Sequence, residues 1–150
     1  MDLIFPFKIM SNIVINRLGT VDIGIVEANP VVFRGRLLRF EYIREGYRGV
    51  RSGSRPDRSS FFRLVDWETG EIVSEFGHNF HMGCAMVWQD RVYVSCNSGW
   101  GSSSFYLMSS SDLQNWSGPD EILSNPEWKG FNTSICRAGN DFVMVFELGG

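Results

Sequence analysis

Apolar and polar residues alternate in short runs along most of this chain, and the runs come in pairs separated by tight turns. Asn29-Pro30-Val31-Val32-Phe33, a turn at Arg34-Gly35-Arg36 and Leu37-Leu38-Arg39-Phe40-Glu41 predict one β-hairpin. Cys84 to Trp88, a turn at Gln89-Asp90 and Arg91 to Asn97 predict a second, and Thr133 to Arg137, a turn at Ala138-Gly139-Asn140 and Asp141 to Glu147 a third. Between them lie two further hairpins. Ser60 to Trp67 turns through Glu68-Thr69-Gly70 into Glu71-Ile72-Val73, and a strand from Phe105 leads through Ser110 to Trp116 into Glu121-Ile122-Leu123.

The first-named turns recur about every 50 residues, the length of one four-stranded blade, so the pattern predicts an all-β fold of the propeller kind. Blade one is expected at about 27–75, blade two at about 81–124 and an incomplete blade three from about 131. Residues 1–26 are expected to be an N-terminal segment packing on the propeller. About two and a half blades leave strand edges unpaired, so closure is expected to need missing C-terminal blades or self-association.

Ser110-Ser111-Asp112-Leu113-Gln114-Asn115-Trp116 carries the most specific signal. Its Asp is suited to cap a turn, and its Leu and Trp to plug the space between neighbouring sheets. The stretch resembles the S-x-D-L-x-x-W signature of five-bladed β-propeller glycoside hydrolases of the arabinanase/xylosidase and invertase/levanase kind. The resemblance implies a five-bladed propeller acting on oligo- or polysaccharide, with strand starts and returning strand ends lining a central funnel.

In those families the base is an Asp directly before the Pro of the first inner strand, and a second Asp opens the third blade. This chain has Asn29-Pro30 at the first place and Asn132 near the second. An amide cannot take a proton at neutral pH. The family's general acid comes from a fourth blade, beyond this sequence. Glu27, two residues before Asn29, and Glu147, at the end of an apolar strand, are therefore the candidate catalytic carboxylates. Asn29, His81, Asn97 and Asn132 are the candidate substrate-binding residues at strand ends. Trp100, in a Gly/Ser loop, joins them as a stacking platform. Arg44 opens an arginine-rich loop with Arg48, Arg51, Arg55 and Arg58, suited to an anionic sugar.

Glycoside hydrolysis is thus the first functional expectation. A non-catalytic carbohydrate-binding propeller is the second, and a sialidase-like hydrolase of an anionic sugar the third. In the last case the S-x-D-x-G-x-x-W box of sialidases is not matched, because Gln114 holds the Gly position and Trp116 comes one residue early.

Composition narrows the partners. The chain has 150 residues, 43% hydrophobic and 14% aromatic, which excludes disorder, and a net charge of −3, which gives no reason to expect nucleic acid or a membrane surface. Carbohydrate is the expected partner. No phosphate loop, C-x-x-C pair or G-x-S-x-G elbow is present, and no cofactor or metal is expected. His78 and His81, three apart in an extended segment, fall on opposite faces. Cys84, Cys96 and Cys136 are expected as buried free thiols. With no signal peptide discernible at Met1 to Met10, the expected compartment is cytoplasmic.

Overall fold

A computed structural model describes residues 24–45 and 59–149. Among them the chain forms ten strands and no helix: β1 Ile25–Phe33, β2 Arg36–Arg44, β3 Ser60–Asp66, β4 Ile72–Phe76, β5 His81–Trp88, β6 Arg91–Asn97, β7 Ser104–Ser110, β8 Ser117–Ser124, β9 Gly130–Ala138 and β10 Asp141–Leu148. All pairing is antiparallel, in three sheets ordered β1-β2-β3-β4, β5-β6-β7-β8 and β9-β10. The protein is all-β. Most of the expected N-terminal segment, and Arg48, Arg51, Arg55 and Arg58, lie outside the described residues.

The first hairpin of each sheet turns where the sequence predicts. Arg34 and Gly35 have φ of 51° and 77°, and Gln89 and Asp90 have 45° and 59°. Two successive left-handed residues suit the right-handed twist of the flanking strands. The strands run further from these turns than alternation suggests: β1 begins at Ile25, β2 continues to Arg44 and β5 starts at His81. The added residues mix polar with apolar, and several of the polar ones are bonded between sheets.

Sheets one and two press their inner faces together. Leu38, Phe40, Tyr42, Phe62, Leu64 and Phe76 meet Met82, Ala85, Val92, Val94, Cys96 and Met108. Phe40 and Phe62 are wholly buried with ring centroids 5.3 Å apart, each contributing roughly 1.5–3 kcal/mol by burial. Gly83 allows this approach: a Cβ there would stand 2.9 Å from Phe62 and 3.0 Å from Phe40. Phe105 and Trp128 meet Phe146 across to the third sheet, at centroid separations of 4.6 and 5.4 Å. The first strands stand side by side, β1 against β5 and β5 against β9.

The hairpin between β7 and β8 is structural, as its composition indicates. Asp112 Oδ1 accepts the backbone N–H groups of Gln114 and Asn115 at 2.9 and 2.7 Å, and Oδ2 accepts Asn115 Nδ2 at 2.8 Å. Those bonds, Asn115's first, hold its carboxyl far below the usual range. Trp116 stacks on Phe76 of sheet one at 3.5 Å and 9°, donates to Ser74 Oγ at 3.0 Å, and has Leu113 buried beside it. Asp66 caps the β3–β4 turn in the same way, accepting from Glu68 and Thr69 while Arg36 grips its other oxygen.

Candidate functional site

Four of the residues singled out, Glu27, Arg44, His81 and Asn97, lie at strand ends that the pairing of β1 with β2, β2 with β3 and β5 with β6 sets opposite one another. Register fixes this. Glu27 lies opposite Tyr42, Arg44 opposite Ser60, and His81 opposite Asn97. Both β1 and β5 carry irregular register in their first residues, between Ile25 and Glu27 and between His81 and Cys84. Met82 takes a φ of 51° within the second of these. A β-branchless but bulky residue in the left-handed region is strained, and bulges of this kind re-aim neighbouring side chains.

His81 is the residue re-aimed. Its Nδ1 lies 2.7 Å from Tyr42 Oη and its Nε2 3.3 Å from Ser60 Oγ, joining sheets one and two. Ser60 Oγ donates to the Phe80 carbonyl at 2.9 Å, so it accepts from Nε2–H. In the neutral ring this leaves Nδ1 to accept from the Tyr42 hydroxyl. His81 is buried and serves as an internal strut in this arrangement.

Glu27 and Asn29 occupy one face of β1, alternating with the exposed Ala28 and Pro30. Asn29 turns toward β5: its Nδ2 donates to the Ala85 carbonyl at 2.9 Å and its Oδ1 accepts the Ala85 N–H at 3.1 Å. Glu27 is half-buried, and burial pushes its carboxyl up to about 6. A carboxyl with that value is substantially protonated just below neutral pH and able to give a proton.

Asn97 is wholly buried. It donates to the Gly130 carbonyl at 3.5 Å and accepts the Gly99 N–H at 3.4 Å, bracing the loop that carries Trp100. Trp100 is 54% exposed. The Arg44 guanidinium lies over its ring at 5.3 Å, and Phe131 meets it at 6.0 Å and 68°. Arg44 and Trp100 come from different sheets, and the structure brings them together.

Asn132 and Glu147 form a separate pair, with Asn132 Nδ2 donating to Glu147 Oε2 at 3.0 Å. Their side chains lie on the face of the third sheet turned away from sheet two, since Thr133 and Phe146 pack toward sheet two. Glu27 instead shares the face of β1 that looks toward β5. The two candidate carboxylates thus stand on faces separated by the second sheet.

Glu41, next to Tyr42 on β2, lies on the opposite face of sheet one. It is wholly buried and paired with both Arg39 and Arg63. His78 is at the surface, 3.9 Å from Glu75. Of the three cysteines, burial pushes the Cys96 thiol up and keeps it unreactive. Cys84 is half-buried, and Cys136 is exposed rather than buried, because it falls on the outward face of β9.

Three participants escaped the sequence reading: Tyr42, Ser60 and Phe131. For Tyr42 a signal existed. Tyr42, Asn97 and Glu147 are each the sixth residue after the start of β2, β6 and β10, at Arg36, Arg91 and Asp141. The first two of these side chains bond across to the next sheet. No protein-family model matches the chain, and no curated protein or solved structure matches it.

Proposed function

We propose that this chain belongs to a five-bladed β-propeller protein that hydrolyses glycosidic bonds, with Glu27 as its acid–base carboxyl. Three features support the architecture: four-stranded antiparallel sheets that repeat in chain order, first strands standing side by side, and turn plugs such as Trp116 wedged between sheets. The chemistry rests on one observation. Glu27 is a half-buried carboxyl pushed up to about 6, at the end of the sheets where Trp100 offers an exposed aromatic surface. A carboxyl that can hold a proton near neutral pH is what leaving-group protonation requires. Glu147, hydrogen-bonded by Asn132, stands on a face apart from Glu27, so this reading gives it no share in the same bond cleavage, which needs two carboxyls flanking one bond.

The test is turnover of aryl glycosides by the protein and by Glu27→Gln. Loss of an acid–base group lowers kcat on the order of a hundredfold or more. Substrates whose leaving group needs no proton recover most of the loss. Unchanged turnover on all of them removes Glu27 from the mechanism.

A second reading, a non-catalytic carbohydrate binder, draws on Asn29. Where the resemblance calls for a base, this residue spends both ends of its amide on Ala85. Saccharide binding with no detectable turnover decides for it.

A further inference from the structure

The first hairpins of the three sheets align when counted from the pair that closes each turn: Phe33 with Arg36, Trp88 with Arg91 and Ala138 with Asp141. Sheet one presents Asn29, Leu38 and Phe40 to sheet two. The same places in sheet three hold Ser134, Val143 and Val145. Sheet two presents Ala85, Val87, Val92 and Val94 to sheet one in return, and the same places in sheet one hold Pro30, Val32, Leu37 and Arg39. The outer faces of sheets three and one are thus the two sides of a contact that the molecule already makes once.

Both outer faces are open and apolar. Val32 is 61% exposed and Val145 65%, with Leu37 and Val143 exposed beside them. They face outward because Val31, Phe33 and Leu38 pack toward sheet two from one side and Phe146 from the other, and side chains alternate along a strand. Trp67 widens the first patch. Its N–H donates to the Leu37 carbonyl at 3.0 Å, and the Arg39 guanidinium lies 5.7 Å from its ring. Arg39, at the place of Val94, is neutralised by Glu41.

The polar position matches too. Asn29 brackets both backbone groups of Ala85, and the corresponding pair is Ser134 and Pro30. Proline has a carbonyl and no N–H, and a serine hydroxyl can donate to that carbonyl. Ladder alternation from the closing pairs turns the Pro30 carbonyl away from β2, as it turns the Ala85 carbonyl away from β6. Asn29 Nδ2 reaches the Pro30 carbonyl at 3.3 Å, and a carbonyl oxygen has a second lone pair.

We propose that the outer face of sheet three docks on the outer face of sheet one of a second copy of this chain, repeating between molecules the contact of sheet one with sheet two. Val143 and Val145 lie against Val32 and Leu37, and Ser134 donates to the Pro30 carbonyl. Because the two faces differ, the contact runs head to tail and continues until a ring closes. The inference needs no ligand and stands apart from the carbohydrate reading.

Sedimentation equilibrium of the 150-residue chain and of two variants tests it. Val145→Lys spoils one face and Val32→Lys the other, each weakening self-association about tenfold or more, because a lysine there loses its water on docking. An equimolar mixture of the two restores one intact contact, sheet three of the Val32→Lys chain on sheet one of the Val145→Lys chain. It is expected to give a dimer and nothing larger. Val145→Ser and Val32→Ser replace them in the same mixture if circular dichroism shows that a lysine disturbs its sheet. A monomeric parent leaves both faces to another partner and overturns the proposal. So does a Val32→Lys chain that associates like the parent, since the third sheet then pairs with itself, and so does a mixture of folded variants that stays monomeric.

Discussion

Asn29 brackets the backbone of Ala85, donating to its carbonyl at 2.9 Å and accepting its N–H at 3.1 Å. The two residues are on the first strands of successive sheets, so one amide side chain completes the hydrogen bonding of a strand that, among the described residues, has no ladder partner on that side. Replacing Asn29 by Leu removes both bonds and leaves the Ala85 backbone groups unpaired. A loss of about 1–3 kcal/mol is expected, read as a lower midpoint in urea unfolding.

Gly83 makes a sharper prediction. Phe40 and Phe62 press on it so closely that a methyl group would sit about 3 Å from both rings. Gly83→Ala forces those aromatics or the β5 backbone to shift, at a cost of roughly 1–3 kcal/mol. Phe62→Leu in the same background restores part of the loss, and a double-mutant cycle in urea measures the recovery.

Glu27 sets a pH dependence whose sign is fixed. Its folded carboxyl titrates near 6, above its value in the unfolded chain, because burial disfavours the charge. The unfolded state therefore binds fewer protons between the two values. Stability is at its full value below the unfolded value and falls as pH rises through about 6. Glu27→Gln removes this slope. A slope of unchanged size in the variant, measured by unfolding from pH 4 to 8, contradicts the assignment.

The third sheet leads to an expectation about assembly. Among the described residues β10 has no neighbour on its outer side, and Phe142, Val143, Val145 and Leu148 are exposed along it, Val145 at 65%. Edge strands with such surfaces pair unless charge or proline blocks them. By our proposal, further strands or a second copy cover this edge. Sedimentation of the 150-residue chain is expected to show association that rises with concentration and diminishes in Val145→Lys. A monomer with a cooperative melt contradicts it.

Much of the fold was legible because burial and alternation coincide in these strands. The turns at Arg34-Gly35 and Gln89-Asp90 declared themselves by residue type, and the Asp112 cap by its spacing from Ser110 and Trp116. The strand ends were harder, since Tyr42, Ser60 and His81 are polar yet buried, bonded to one another across sheets rather than to water. Asn29 looked like a site residue for the same reason, although its partner is backbone from another strand. The Arg44–Trp100 contact joins residues from different sheets, and no local pattern encodes such a pairing.

Glu147 separates catalysis from ligand holding. Its carboxyl, bonded to Asn132, stands on a face apart from Glu27, so Glu147→Gln in the assembled protein is expected to leave kcat unchanged, and a loss on the order of a hundredfold contradicts that placement. Steady-state kinetics showing an unchanged kcat and a higher KM identify it as a ligand holder.

Amide chemical-shift mapping during titration with saccharide tests the central claim, that the end of the sheets carrying Glu27 and Trp100 is the binding site. The account predicts shifts at Glu27, Arg44, Gly99, Trp100 and Phe131 that saturate together, with the hairpin from Ser110 to Trp116 unmoved. Shifts confined to that hairpin, or to the turns at Arg34-Gly35 and Gln89-Asp90, contradict it.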